Sequence, residues 1–160
     1  MVVEDALNIF TDGSSLPTPR RGGVGIRFVQ IDSSGHEQTI DIELPGYKNA
    51  TNNQMELYAC IMALKEALKL EALSTVRKIV IHTDSQYVVN NYKKAMFTWP
   101  KWRWHTSSGR PVLNADLWKD LVKSIRNTGK RVDFIWEKEQ AKHIHSKAVD
   151  RLVSCKNDLT

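Results

Sequence analysis

Two apolar runs of this chain end in the same way, and this repetition restricts the folds open to it. Residues 7–12 read LNIFTD and residues 79–84 read IVIHTD, so each run closes on Thr-Asp before a small residue. β-Branched and aromatic residues of this kind fill strands that are covered on both faces. If the two strands are parallel neighbours, Asp12 and Asp84 lie side by side at the carboxyl edge of the sheet, where open α/β sheets place ligands.

Alternating and helical patterns supply the remaining elements of such a sheet. A first strand is expected from Leu7 to Thr11, with a turn at Gly13. Residues 22–31 and 37–45 alternate between apolar and polar side chains around a hairpin turn, which predicts two more strands. These three strands would form an antiparallel meander.

Helical spacing begins near residue 52, where Thr51 and Gln54 match a capping box. The later elements are a strand over 77–83, a helix from Ser85 to about residue 96, a helix begun by Asn114 and closed by Gly129, a strand over 131–137 and a helix from Lys147. This order predicts an α/β fold with a five-stranded mixed sheet, three antiparallel strands and then two parallel ones, flanked by helices. We expect one domain over residues 1–160, with its core in about 7–153.

The composition is that of a globular protein, with 41% hydrophobic and 26% charged residues. No apolar run approaches the roughly 20 residues that span a bilayer, and the acidic N-terminus is not a signal peptide. Cys60 and Cys155 form neither a metal motif nor a disulfide framework, which fits a reducing compartment, and Cys60 is expected in the core. The net charge of +5 is compatible with a polyanionic partner. We predict a cytoplasmic monomer.

Two further acids could join the pair at the sheet edge. Glu56 lies beside the apolar face of the first helix, and Asp150 interrupts the apolar stripe of the last one. Each acid also has an ordinary explanation, since Asp84 could cap a helix, Glu56 could favour a helix dipole and Asp150 could be a surface acid. Together, half-buried carboxylates would repel one another, and a hard divalent ion such as Mg²⁺ or Mn²⁺ would relieve that repulsion.

Ordered blocks of the sequence resemble type 1 ribonuclease H. They are FTDGSS with GGVG, TNNQMEL, TDSQYVV, WHTSSGRPVLNADLW, and VDFIWEK with AVDRL, and they run from about residue 7 to residue 153. The resemblance implies a ribonuclease H-like fold whose catalytic, metal-binding acids match Asp12, Glu56, Asp84 and Asp150. These would hold two Mg²⁺ ions, with Mn²⁺ as a substitute, and the activity implied is hydrolysis of the RNA strand of an RNA–DNA hybrid. Two metals can carry such an in-line displacement without a side-chain nucleophile.

A basic and aromatic segment between Lys93 and Arg110 predicts a surface that holds nucleic acid. Five basic residues interleave there with three tryptophans, a composition that suits phosphate contact and stacking. The resemblance identifies it with the basic protrusion of the family, although it is lightly charged. The candidate substrate contacts in it are Trp99, Lys101, Trp102, Arg103 and Trp104. The alternative is a small aromatic satellite core with a solvated charged edge.

Recognition of RNA requires contact with its 2′-hydroxyl groups, and amide side chains near the acids could make it. The candidates are Asn52, Asn53, Gln54 and Gln86. Thr51 and Asn114 match family positions that hold a phosphate of the DNA strand. Helix capping by Thr51 and Asn52 is compatible with these roles.

The sequence departs from the family pattern in one loop. The family histidine that lies ten residues before the last aspartate falls on Gln140, which cannot transfer a proton near neutral pH. His143 and His145 lie nearby, and either could act as an auxiliary group in a rearranged loop. Two alternatives stay open: a hybrid-binding module without catalysis, which a missing acid would mark, and the ribonuclease H domain of a reverse transcriptase. The first residue, Met1, and the absence of an obvious linker favour a free-standing protein.

Overall fold

The computed structural model describes residues 2–17, 20–46, 49–137 and 145–149. The strands are β1 (Ala6–Pro17), β2 (Arg20–Ile31), β3 (Glu37–Pro45), β4 (Lys78–Thr83) and β5 (Arg131–Trp136). They form one sheet in the order β3-β2-β1-β4-β5. β2 is antiparallel to both of its neighbours, and β4 is parallel to β1 and to β5. The predicted mixed sheet is therefore confirmed.

Helices connect and cover these strands. They are α1 (Asn52–Ala67), α2 (Ala72–Thr75), α3 (Gln86–Phe97) and α4 (Ala115–Asn127), with a 3₁₀ turn over Trp99–Trp102 and a helical segment at 145–149. The predicted capping box at α1 is present, because Thr51 Oγ1 accepts from Gln54 N at 3.1 Å and Gln54 Oε1 accepts from Thr51 N at 2.9 Å. Among the described residues, none of the helices has the length and apolarity that a membrane crossing requires.

The sheet has an apolar layer on each face. On one face, α1 packs against side chains of β1 such as Leu7 and Ile9 in the main core. On the other face, Phe10 and Val29 pack with Val149 of the segment at 145–149 in a smaller cluster. Successive side chains of a strand point to opposite faces, so β1 contributes to both layers. The first half of β1 is thus covered by helical segments on both faces of the sheet.

The first strand is longer than predicted. We expected it to end at Thr11 with a turn at Gly13, but β1 continues to Pro17, which pairs with Arg20. Gly13 stays in the ladder opposite Val24. A glycine after a strand pattern marks either a turn or a close backbone approach, and here it marks a close approach to α1.

Two smaller differences have different causes, the first local and the second tertiary. The helix α2 was not predicted, because four residues are too few to show a helical period. Asn114 precedes α4 as expected but makes no side-chain cap and has a left-handed backbone, with φ of 59°. Its amide instead contacts residues distant in sequence.

Candidate metal centre and nucleic-acid interface

The pairing of β1 with β4 brings two of the acids together. Phe10 pairs with His82 in the parallel register, and their rings stack at 4.1 Å between centroids. Asp12 and Asp84 each follow this pair by two residues, so both acids lie just beyond the point where the parallel pairing of β1 with β4 ends. The indole Nε1 of Trp136 donates to the backbone oxygen of Asp84 at 3.3 Å and holds the end of β4.

Ser85 caps the helix that begins beside Asp84. Its hydroxyl accepts from Val88 N at 3.2 Å, and its own N–H donates to Thr83 Oγ1 at 3.1 Å. The capping explanation therefore applies to Ser85, and the half-buried Asp84 carboxylate belongs to the cluster of acids.

A close contact between β1 and α1 places the third acid. An added Cβ at Gly13 would lie 2.2 Å from Met55 O and 3.1 Å from Glu56 N, so only glycine allows this approach. The N–H of Gly13 donates to Glu56 Oε1 at 3.4 Å. Glu56 is buried, with 9% of its surface exposed. The strand thus fixes both the backbone and the carboxylate of this residue.

Asp12, Glu56 and Asp84 form a cluster of three carboxylates. One ligand oxygen from each lies within 4.8 Å of the others. Three negative charges at this separation repel one another in a partly buried site, and a bound cation compensates them. A donor set made only of carboxylate oxygens suits a hard divalent ion. The residues present therefore fit a divalent metal. Asp150, the fourth predicted acid, lies outside the described residues.

The buried thiol of Cys60 takes no part in the chemistry of this cluster. Cys60 lies one helical turn after Glu56 and is fully buried. Burial, followed by the negative charge of Glu56, raises the pKa of the Cys60 thiol to about 12, although Thr11 Oγ1 lies 3.9 Å from the sulfur. A protonated thiol is neither a nucleophile nor a metal ligand. The chemistry of this site is therefore carried by oxygen donors.

A sequence model of the RNase H family matches residues 4–157 of this chain. The chain belongs to the ribonuclease H family. A ribonuclease HI from Haemophilus influenzae is 39% identical over 151 residues, which cover 91% of this chain and 86% of that protein. A ribonuclease H from Novosphingobium aromaticivorans is 38% identical over 149 residues, which cover 92% of this chain and 94% of that protein.

Solved structures support the fold. LC9-RNase H1, described as a type 1 RNase H with the type 2 active-site motif, superposes with a TM-score of 0.76 at 23% identity, over 97% of this chain and 73% of that one. LC11-RNase H1 in complex with an RNA/DNA hybrid superposes with a TM-score of 0.69 at 17% identity, over 96% of this chain and 99% of that one. The PFV RNase H domain superposes with a TM-score of 0.73 at 22% identity, over 93% of this chain and 92% of that one. The predicted ribonuclease H fold is confirmed.

Hydrogen bonds between side chains join two of the predicted substrate contacts near this centre. Gln54 Nε2 donates to Asn114 Oδ1 at 3.1 Å, and Asn114 Nδ2 donates to the Tyr87 hydroxyl at 3.1 Å. Trp118 Nε1 donates to the same hydroxyl at 2.9 Å. Because Gln54 also closes the capping box with Thr51, one connected network orients all three predicted contacts. Tyr87 was missed from the sequence, since its partners are remote along the chain.

The other predicted amides lie exposed at helix starts. Asn52 and Asn53 belong to the first turn of α1, and Gln86 is the first residue of α3. Glu56 follows in α1, and Asp84 precedes α3 by two residues. The amides therefore lie within four residues of Glu56 or Asp84 along the chain.

The tryptophans of the basic segment divide into two groups. Trp99 and Trp104 are partly buried and pack against the main core, with their ring centroids 6.0 Å apart. Trp99 also meets Trp118 edge-on at 5.6 Å. These two tryptophans therefore extend the main core and do not form the separate satellite core of the alternative.

The other predicted substrate contacts of the segment face solvent. Trp102 is 68% exposed, and Lys101 and Arg103 beside it are also exposed. Arg103 and Trp104 both have left-handed backbones, with φ of 52° and 62°. Such strain is uncommon in residues other than glycine and is frequent at functional turns. The turn presents one indole and two cations together.

The auxiliary candidates are only partly described. Gln140 and His143 lie outside the described residues. His145 is buried on the sheet face opposite α1, with its ring 5.2 Å from that of Phe10. Its Nδ1 lies 3.1 Å from an Arg27 nitrogen, and its Nε2 lies 2.8 Å from Glu37 Oε2. Both ring nitrogens therefore already have protein partners.

Proposed function

We propose that this ribonuclease H is an endoribonuclease that hydrolyses the RNA strand of RNA–DNA hybrids with two Mg²⁺ ions. The observation that carries the proposal is the cluster of Asp12, Glu56 and Asp84, whose ligand oxygens lie within 4.8 Å of one another. Membership of the family and relatives named ribonuclease HI support the activity. Asp150 is proposed as the fourth catalytic acid and metal ligand, and Mn²⁺ as a substitute ion.

The chain's own residues prepare the site for metal and substrate. Bound divalent ions would activate the attacking water and stabilise the leaving oxygen of an in-line displacement. Asp12 and Asp84 would hold them from paired strands, and Glu56 from the helix that Gly13 contacts. A ligand set on regular elements keeps its geometry better than one on loops. No protein nucleophile takes part.

Substrate recognition would use both the amides and the basic turn. Asn52, Asn53, Gln54 and Gln86 are proposed to contact the 2′-hydroxyl groups of the RNA strand, which distinguish RNA from DNA. Thr51 and Asn114 would hold a phosphate of the DNA strand in the network that Gln54 closes. Lys101 and Arg103 would contact phosphates, Trp102 would stack, and Trp99 and Trp104 would support the turn.

The decisive test is cleavage of a labelled RNA–DNA hybrid with and without Mg²⁺, compared with RNA and DNA duplexes of the same sequence. Asp12→Asn and Asp84→Asn should nearly abolish cleavage, while their Tm without metal stays equal or rises, because one repelling charge is gone. Asp120→Asn is the matched control, since Asp120 of α4 makes an exposed ion pair with Lys65 of α1. Near-normal Mg²⁺-dependent cleavage by both cluster variants would refute the proposal.

We also propose that the protein is a cytoplasmic monomer. The buried free thiol of Cys60 fits a reducing compartment. Light scattering during gel filtration measures the oligomeric state, and a mass twice that of the chain would contradict a monomer. Fractionation of the source cells tests the compartment.

A further inference from the structure

The segment at 145–149 rests on the sheet through a small apolar contact. Val149 is 1% exposed and packs against Phe10 and Val29 in the smaller cluster. α1, by comparison, is fixed by the extended main core on the opposite face. An apolar contact of this size is too small to hold the segment on the sheet by itself. Among the described residues, His145 at the first position of the segment provides a second, polar contact.

His145 is held between a cation and a carboxylate. An Arg27 nitrogen lies 3.1 Å from His145 Nδ1, and Glu37 Oε2 lies 2.8 Å from His145 Nε2. Arginine is always protonated and can only donate, so Nδ1 accepts. Nε2 then carries the hydrogen and donates to Glu37. The two partners select one neutral tautomer and one ring orientation.

The partners of His145 are themselves fixed on the sheet. Arg27 and Asp41 face each other across β2 and β3. The guanidinium binds both oxygens of Asp41, with Nε at 2.6 Å and Nη2 at 2.8 Å. The hydrogen bonds from Arg27 keep the pKa of the Asp41 carboxyl below its usual value, so the ion pair of Arg27 and Asp41 stays charged at neutral pH. The remaining nitrogen of Arg27 is thereby aimed at His145.

We propose that His145 is a positioning residue for Asp150, acting through the segment at 145–149. His145 and Val149 are four residues apart and lie on one face of the helical segment, so the ring and the apolar contact fix both ends of one turn. Asp150 follows Val149 directly in the chain. Phe10, which Val149 contacts, precedes Asp12 by two residues in β1. The inference rests on the proposed role of Asp150 as a metal ligand.

The first test compares His145→Ala with His145→Gln and with His36→Ala, an exposed histidine in the β2–β3 turn. His145→Ala should raise the Mg²⁺ concentration for half-maximal cleavage about ten-fold, the low end for residues that orient metal ligands, with KM for hybrid unchanged. Glutamine should restore it, because its amide can accept from Arg27 and donate to Glu37. Mg²⁺ binding by calorimetry should weaken in parallel. An unchanged Mg²⁺ dependence in His145→Ala would overturn the proposal.

The second test is a double-mutant cycle with Asp150→Asn, read out by Mg²⁺ affinity. If His145 acts through Asp150, His145→Ala should weaken Mg²⁺ binding in the native chain and add nothing in the Asp150→Asn chain. Equal losses in both backgrounds would mean that His145 only stabilises the fold. If His145→Ala does not fold, the same double-mutant cycle can be measured with Glu37→Ala. This variant removes the half-exposed carboxylate that contacts His145 Nε2.

Failure of the inference can be told apart from failure of the proposed function. If the unmodified protein does not cleave hybrid with Mg²⁺, the proposed function is wrong. If it cleaves hybrid and Asp150→Asn weakens both Mg²⁺ binding and cleavage, but His145→Ala does not, the function stands and the role of His145 is refuted.

Discussion

Gly13→Ala tests how tightly the metal centre depends on the contact between β1 and α1. The new methyl carbon would lie 2.2 Å from Met55 O and 2.6 Å from Met55 C, both backbone atoms. Carbon atoms reach favourable contact at about 3.5 Å or more, so the helix must move by roughly 1 Å. No side-chain rotation can relieve the overlap, because the obstacle is the main chain of α1. The movement would carry Glu56, the next residue, away from Asp12 and Asp84.

The expected size of the effect follows from this displacement. Overpacking of this kind costs about 1–3 kcal/mol of the free energy of unfolding. For a chain of this length that corresponds to a fall in Tm of roughly 3–10 °C. A misplacement of about 1 Å can reduce turnover by about 10²-fold. Gly13→Ala should therefore lower kcat at saturating hybrid and Mg²⁺ far more than its stability loss explains, as measured well below its Tm.

Gly35→Ala is the matched control. Gly35 lies in the β2–β3 turn with φ of 86°, and an added Cβ would meet nothing within 4 Å. A left-handed alanine costs about 1–2 kcal/mol, so this variant should lose stability with unchanged kcat. If Gly13→Ala loses stability and keeps kcat within about two-fold of the unmodified protein, the position of Glu56 does not depend on this contact, and the reasoning is refuted.

Three further predictions concern the basic turn, the buried thiol and the altered loop. Replacing Lys101 and Arg103 together by alanine should raise KM for hybrid and flatten its salt dependence with little change in kcat; an unchanged KM and salt slope would contradict their role as phosphate contacts. In a Cys155→Ser chain, Cys60 should react with a thiol reagent only after unfolding, because its pKa is about 12 and it is buried, so rapid native-state labelling would contradict the structure. Gln140→His should raise kcat by up to about 10²-fold with a new titration in the pH profile of kcat, and no gain would mean that the loop register differs from the family's.

Local patterns in the sequence were sufficient to predict most of the fold. The limits of β3 at Glu37–Pro45 were predicted correctly, because polar turn residues precede its alternating pattern. The start of α1 was predicted from the reciprocal bonds that Thr51 and Gln54 can make within four residues. The proximity of Asp12 and Asp84 was expected on the condition that β1 and β4 are parallel neighbours, and the structure meets that condition.

The features that were missed depend on contacts between distant parts of the chain. Gly13 was predicted to form a turn, because nothing near it in sequence shows that the backbone of Met55 approaches it. Asn114 was predicted to cap a helix, yet its amide bonds to Gln54 and Tyr87, which are 60 and 27 residues away. Local propensity describes what a residue can do alone, and tertiary partners decide which of those options is used.

The structure around the carboxylates also explains why they can remain close together. Their repulsion opposes folding, so the strands next to Asp12 and Asp84 need support that does not come from the acids themselves. His82 of β4 supplies this support. Its Nε2 contacts Asn8 Oδ1 at 2.9 Å, and its Nδ1 contacts Glu137 Oε1 at 2.9 Å. This fully buried ring therefore links β1, β4 and the end of β5 two residues before Asp84. Strands linked by buried hydrogen bonds of this kind have one low-energy arrangement. Small displacements of the acids from that arrangement should therefore alter metal binding before they unfold the protein.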